Sequence, residues 1–239
     1  MIIYEPAGRA REYSALAANL YSGCEHGCVY CYAPSALRRD KEQFHTHPCP
    51  RKNVLAQLEK DCIKLKGTNP PPVLFSFTTD PYQPIECEYG ITRCGIKLLH
   101  QYGLNVEILT KGGMRAARDF DLLNDGDAFA TTLTFINNAD SLKWEPKAAL
   151  PADRIRAMQL AHEKGIQVWA SLEPVIDPEQ TLKLIMLTHN FVDLFKVGKL
   201  NYHPRAREID WHNFGWQAKK LLEELKCAYY LKDDLRKAM

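Results

Sequence analysis

The sequence predicts an α/β protein: a partial (β/α)6, TIM-like barrel with a parallel sheet, forming a single domain. Three observations carry that expectation. Short apolar runs alternate with helix-length amphipathic segments along most of the chain, the pattern of a parallel sheet with covering helices. No Pro-, Gly- or Ser-rich linker divides the 239 residues, a length that an α/β barrel uses as one unit. No period of about 20 to 50 residues repeats, which sets aside solenoids and propellers.

Taken in order, the first strand falls near Leu16–Tyr21 and the first long helix at Val54–Leu65. Val73–Phe77 is an apolar run behind Pro70, Pro71 and Pro72, and reads as a buried strand. Gly90–Tyr102 spaces Ile91, Cys94, Leu98 and Leu99 as a helix does, and Gly103 stops it. Val106–Leu109 is the next strand, Ala116–Leu123 a short helix, and Ala128–Leu133 a strand rich in β-branched Thr. Pro151 opens an amphipathic helix over Asp153–Lys164 that Gly165 ends. Ile166–Leu172, Pro178–Thr188 and Val192–Val197 read as strand, helix and strand. The C-terminal part, 200–239, supplies a helix at Trp211–Leu225 and a closing strand at Cys227–Leu231. In either an open or a closed sheet of this kind, chemistry sits on the loops after the strands' carboxyl ends.

Composition narrows the classes. Hydrophobic residues at 46% and charged residues at 25% exclude a mostly disordered chain. The 31 basic and 29 acidic side chains leave a formal charge of +2, which gives no electrostatic footprint for nucleic acid and no argument against it. No stretch approaches the roughly 18 apolar residues of a membrane helix. Met1–Asn19 carries Glu5, Arg9, Arg11 and Glu12 in place of a secretory core, so a cytoplasmic location with no membrane contact is expected. Eight cysteines in a chain of this size are then not a disulfide framework.

Their spacing points to metal chemistry. Cys24, Cys28 and Cys31 stand at offsets of four and three residues, and Gly23 and Gly27 let the backbone wrap closely around them. Three thiolates on one short loop can each hold one iron of a cubane cluster, leaving the fourth iron without a protein ligand. An open position is what a catalytic metal site keeps. Other readings remain beside this one. A zinc site would take a fourth ligand from His26 or from His45, His47 and Cys49. A redox pair at Cys28 and Cys31 would leave Cys24 idle, and plain packing would leave all three thiols inert.

The Cys-x3-Cys-x2-Cys spacing followed by Tyr32 resembles the radical S-adenosylmethionine (SAM) superfamily. Ser76–Glu86, with its Thr-Asp-Pro-Tyr-Gln-Pro run, is similar to the spore photoproduct lyase-like group of that superfamily. So are Leu109–Gly112, Arg118-Asp119, Thr131–Thr134, Glu145-Pro146 and Lys196–Asn201. The resemblance implies a partial (β/α)6 barrel over nearly the whole of 1–239, with its cluster loop at 24–31. It implies a 4Fe-4S cluster on Cys24, Cys28 and Cys31, and SAM chelated to the open iron. Reductive cleavage of SAM to a 5′-deoxyadenosyl radical, which abstracts hydrogen from substrate, is the implied activity. A reductant protein such as flavodoxin or ferredoxin is the implied partner. The alternative function is a non-catalytic iron-sulfur or zinc module in electron transfer or assembly.

A zwitterionic ligand needs an acceptor for its ammonium and donors for its carboxylate. Asp80 with Thr79 can take the first, and Lys111 with Thr132 or Thr134 the second. Tyr32 can stack on adenine, and Val168–Glu173 can complete its pocket. Tyr82, Lys199, Asn201, Tyr202 and His203 are candidates for substrate contact, the last four from the loop after Val192–Val197. Cys87 is the candidate hydrogen donor or radical relay; Cys62 and Cys94 read as core filler and Cys227 as packing. One position departs from the group. The lyase places a hydrogen-donating cysteine three residues before the Asp, where this chain has Phe77, so repair of spore photoproduct is not expected. The substrate, nucleic acid included, stays open.

Overall fold

The structure is a computed structural model that describes all 239 residues. Ten strands run in chain order: β1 Ile3–Tyr4, β2 Leu16–Ala18, β3 Tyr21–Ser22, β4 Cys49–Pro50, β5 Val73–Phe75, β6 Val106–Thr110, β7 Ala128–Thr132, β8 Gln167–Val175, β9 Leu194–Lys199 and β10 Tyr229–Leu231. Eight of them form one sheet in the order β1-β2-β5-β6-β7-β8-β9-β10. β1 pairs antiparallel with β2, and every later pairing is parallel. The seven strands from β2 to β10 are the expected partial barrel, with β10 as its closing strand.

Alternate residues on each strand serve two cores. Ala18, Val73, Phe75, Phe129, Val168 and Ala170 pack in a 39-residue cluster with the helices. Their neighbours Ala17, Leu74, Ala128, Ala130 and Trp169 form a separate five-residue cluster, against which Tyr13 and Phe77 pack. Strands buried on both faces read as continuous apolar runs, which is why these segments were legible. Among the helices, Val54–Leu65 and Pro178–Thr188 have the expected bounds. Asp177 caps the second by accepting from the Gln180 amide.

Several elements differ from expectation. The strand at Leu16–Tyr21 stops at Ala18, because the Asn19 side chain turns to accept from the Phe77 and Thr78 amides at 3.0 and 2.9 Å. The chain then pairs as β3 with β4. Ala116–Leu123 is not an α-helix; a 3-10 helix covers Gly113–Asp119 and ends where buried Asp119 accepts from Tyr82 and Arg93. Cys94 is not core filler: the helix Ile91–Gln101 buries Thr92, Gly95, Ile96 and Leu99, and Cys94 lies off that stripe and exposed. The helix Asn138–Trp144, capped by Asn137, was not anticipated.

The open side of the barrel is bridged by the N-terminal segment. Glu12 accepts from the Asp233 amide (2.7 Å) and the Tyr230 hydroxyl (3.1 Å), and the Lys232 ammonium donates to the Arg9 carbonyl (2.9 Å). First and last elements thereby flank one cavity.

Candidate active site

That cavity, of about 370 Å³, lies at the carboxyl ends of the parallel strands. Ser76, Phe77, Thr79 and Asp80 enter it after β5, Leu109–Lys111 from β6, and Thr132 from β7. Glu173 and Pro174 come from β8, Lys199–Tyr202 from the end of β9, and Lys232 follows β10. Tyr30 and Tyr32 bring the cysteine loop to its edge, and Arg9 and Tyr13 line it from the N-terminal segment.

The cysteine loop is fixed by backbone and by charge. The Cys24 amide donates to the Phe44 carbonyl at 3.0 Å. Gly23 has φ +90°, and a Cβ there would lie 2.6 Å from that same carbonyl oxygen. Only glycine suits this close approach. On the other side the Val29 amide donates to the Trp144 carbonyl (2.8 Å) and the Lys147 amide to the His26 carbonyl (3.2 Å). The Tyr30 hydroxyl donates to Glu145, which Arg154 holds in turn at 2.5 Å. Arg154 and Glu145 are both fully buried, and Arg154 also donates to the carbonyls of Ala149 (2.7 Å) and Thr132 (2.9 Å). One buried ion pair thus joins the cysteine loop to the end of β7 and the helix Pro151–Glu163.

Cys24 and Cys28 are buried and Cys31 partly so. Burial pushes all three thiols up, Cys28 to about 12, so metal binding here must release protons. Cys28 and Cys31 both lie close enough to Cys24 to act on its thiol. A cubane takes each thiolate on a different iron, so the donor set suits a cluster that three cysteines surround. His26 is engaged through both ring nitrogens, and His45 through Nδ1 while its buried Nε2 has no partner. His26 sits 3.4 Å from Asp80 and 3.3 Å from Arg115, and burial lowers its pKa to about 4. His45 Nδ1 lies 2.8 Å from the Cys24 carbonyl oxygen.

Asp80 is buried and tied to its frame. It accepts from the Tyr82 amide (2.8 Å), the Thr110 hydroxyl (2.5 Å) and the Lys111 amide (2.7 Å). Burial opposes its charge, but His26 and these donors outweigh it and hold its pKa below the usual range. Oδ1 takes Tyr82 and Thr110 while Oδ2 takes Lys111 and faces His26, and the side chain lines the cavity. The Lys111 ammonium lies 5.6 Å from the Tyr30 ring centre with no carboxylate at ion-pair distance. Burial works against its charge, yet Cys28, Glu145 and Asp80 keep its pKa above the ordinary value. Tyr32 is 46% exposed and donates to the Phe77 carbonyl at 3.1 Å, across the cavity edge.

Tyr32, Thr79, Asp80, Lys111, Thr132, Lys199, Asn201 and Tyr202 therefore share one cavity. Cys24, Cys28 and Cys31 are not in its lining, which Tyr30 and Tyr32 reach from their loop, and four further expected residues do not line it either. Thr134 is buried beside β7 and donates to Glu145. Tyr82 is 1% exposed and its hydroxyl donates to Asp119. His203 stacks edge-on against Trp144 and caps a 3-10 turn. Cys87 is exposed on the short helix Glu86–Tyr89. Tyr13, Arg154 and Lys232 escaped the sequence reading. Arg154 alone left a trace, as a charge within the buried stripe of its helix; Tyr13 and Lys232 meet only through the fold.

Comparison with known proteins agrees with this architecture. The sequence model of the radical SAM superfamily matches residues 18–192. An uncharacterised protein of Methanocaldococcus jannaschii is 28% identical over 161 residues, 66% of this chain and 59% of that protein. An uncharacterised protein of Mycobacterium tuberculosis is 33% identical over 109 residues, 44% of this chain and 32% of that protein. The chain thus spans less than two thirds of these relatives. Among solved structures, a spore photoproduct lyase mutant with bound AdoMet and dinucleoside spore photoproduct superposes with a TM-score of 0.71. It is 13% identical, over 94% of this chain and 78% of that one. Streptococcus suis SuiB bound to S-adenosylmethionine gives 0.68 at 12% identity, over 93% and 51%. At such identities the likeness is one of fold. The matched region runs from the end of β2 through the cysteine loop to the residues before β9, and on that match the chain belongs to the radical SAM superfamily.

Proposed function

We propose that this protein is a radical SAM enzyme that holds a 4Fe-4S cluster on Cys24, Cys28 and Cys31 and binds SAM in the adjoining cavity. The observation that carries the reading is the cavity itself. The cysteine loop bounds one part of it, and residues from the ends of six parallel strands bound the rest. When bound, the cluster supplies an electron to the sulfonium of SAM, giving methionine and a 5′-deoxyadenosyl radical that abstracts hydrogen from substrate.

The chain's own residues bind and orient. Lys111, charged and unpaired, with the Thr132 side chain, would hold the SAM carboxylate by charge-assisted hydrogen bonds. The Asp80 carboxylate, beside Thr79 in the cavity wall, would take the ammonium. Because Asp80 also bonds the Lys111 amide, the two clamps are set by one rigid junction between the loops after β5 and β6. Tyr32 would cover adenine. Thr134 has no part in this, since Glu145 and Tyr30 occupy its hydroxyl. Lys199, Asn201 and Tyr202 lie at the carboxyl end of β9 and, with Arg9 and Lys232, would meet the substrate. A one-electron reductant protein is the required partner.

Anaerobic reconstitution with iron and sulfide, then incubation with dithionite and SAM, tests the reading. 5′-Deoxyadenosine formation that Cys24→Ala abolishes is expected. A colourless zinc protein, or a brown protein that never cleaves SAM, would overturn it.

A further inference from the structure

On the reading above, one cavity serves two ligands, SAM and a substrate brought against it. Its volume of about 370 Å³ is near the lower end for a pocket that encloses one small molecule, roughly 300–1,000 Å³, so part of its wall has to move. The strands β5 to β9 are each paired on both sides and hold their ends in place. The loop between β1 and β2, residues 5–15, is different. β1 lies at one edge of the sheet and β10 at the other, and this loop crosses the gap between them. Its crossing part is the 3-10 turn Gly8–Glu12, which brings Arg9 and Ala10 to the cavity and buries none of its own residues. Both flanks are fixed. On one side Ile2 and Ile3 are buried with their amides on Asp61. On the other, the Tyr13 hydroxyl meets Glu173 (2.6 Å) and Ser171 (2.8 Å), and its carbonyl accepts from Lys196 (2.7 Å).

We propose that Gly8–Glu12 is a hinged strap that swings off the end of β10 to open the side of the cavity, and that SAM and substrate pass beneath it. What passes rests on the SAM reading above; the motion does not. The turn is held to the β10 end by polar groups that water can replace. Glu12 accepts from the Asp233 amide and the Tyr230 hydroxyl, the Arg9 carbonyl accepts from Lys232, and the Arg9 guanidinium lies 3.6 Å from Asp234. That guanidinium also lies over the ring of Tyr202, itself 88% exposed. Gly8 supplies the near hinge, with φ +58° and open space where a Cβ would stand. Release does not strand a buried charge. Lys232 is 1% exposed and loses Glu12 at 3.5 Å, but it keeps Glu173 of β8 at 3.1 Å. Gates over binding sites are drawn from such segments, with few buried contacts and exposed polar attachments.

Limited trypsin digestion of the full-chain, anaerobic apo-protein reads the motion. A protease needs an extended segment, so cleavage of the Arg9–Ala10 bond tracks the open population. Tyr230→Phe removes the hydroxyl that Glu12 accepts from, and Tyr230→Phe/Glu12→Gln removes the charge of the clasp as well. The double variant should be cut there about tenfold faster than the wild type, and the single variant by less. Cleavage after Arg38, in another exposed loop, should not change, and Glu88→Gln, at an exposed position, should match the wild type throughout. In the reconstituted protein, stopped-flow association and release of SAM should both quicken in the double variant by about threefold or more. The Kd should stay within about twofold, because a gate changes both rates whereas damage to the site changes affinity. Cleavage at Arg9–Ala10 equal in wild type and double variant would overturn the proposal. So would SAM rates that do not change, or release that quickens alone. Failure of the wild type to bind SAM would count against the SAM reading, because trypsin reads the strap without it.

Discussion

Replacing Arg154 by Met should be among the costliest single changes in this protein. The guanidinium is 1% exposed and spends its donors on Glu145, Ala149 and Thr132, while the Glu145 side chain is 0% exposed. Removing one partner of a buried pair leaves the other charge alone in the interior, at a cost of roughly 3–5 kcal/mol. Total stability for a domain is about 5–15 kcal/mol. At this size each kcal/mol moves Tm by about 2–4 °C, so a fall of roughly 6–20 °C is expected.

Acidification sharpens the test. In the native protein burial opposes ionisation of Glu145, but Arg154, Lys111 and Tyr30 outweigh it and lower its pKa. That stabilisation is present above the unfolded carboxyl pKa of about 4.3 and is lost as pH falls through the lower folded value. Without Arg154 burial dominates and the folded pKa rises. The variant's deficit should therefore narrow as pH falls from about 7 toward 5. Urea unfolding of the anaerobic apo-protein across that range measures it. The double variant Arg154→Met/Glu145→Gln should recover part of the loss, since no lone charge remains. A deficit under about 1 kcal/mol, or a double variant no better than the single, would mean that Glu145 is not left as a lone buried charge.

Cys28→Ala should lose bound iron after reconstitution, whereas Cys94→Ala, at an exposed position, should hold iron and change stability by at most about 0.5 kcal/mol; iron analysis and urea unfolding distinguish the two. Asp80→Asn should weaken SAM binding at least tenfold and also lower stability by about 1–3 kcal/mol, because one of its accepting oxygens becomes a donor facing backbone amides. An Asp80→Asn protein as stable as the wild type would contradict the hydrogen bonds drawn around that side chain. Dinucleoside spore photoproduct supplied to the reduced, reconstituted protein should not be repaired in multiple turnovers. Phe77 has no thiol hydrogen to return, and exposed Cys87 lies outside the cavity; repair that survives Cys87→Ala would sink that expectation.

Elements whose character is local were legible. Val54–Leu65 and Pro178–Thr188 announce themselves by periodicity, and β5 to β9 by apolar runs that a doubly buried strand requires. The cysteine loop is equally local, because its thiols and glycines all fall within Gly23–Cys31. What failed depends on partners distant in sequence. Tyr82 and Thr134 stand in motifs beside cavity residues, but Asp119 and Glu145 claim their hydroxyls across 37 and 11 positions. Two-residue β1 is too short to show a period, and it is held by the Ile2 and Ile3 amides bonding Asp61 at 2.6 and 3.2 Å. Tyr13 and Lys232 come together over 219 positions, with the ammonium 4.0 Å from the ring centre. No spacing rule encodes such a contact.

Electron paramagnetic resonance of the dithionite-reduced, reconstituted protein, recorded before and after SAM is added, separates a SAM-binding cluster from any other metal centre. If Cys24, Cys28 and Cys31 hold a 4Fe-4S cluster to which SAM binds, the reduced wild type should give a 4Fe-4S signal that SAM shifts. In Lys111→Ala the shift should appear only at higher SAM concentration, and in Cys28→Ala there should be no such signal. A signal indifferent to SAM at saturating concentration, or one that survives Cys28→Ala unchanged, would contradict the account.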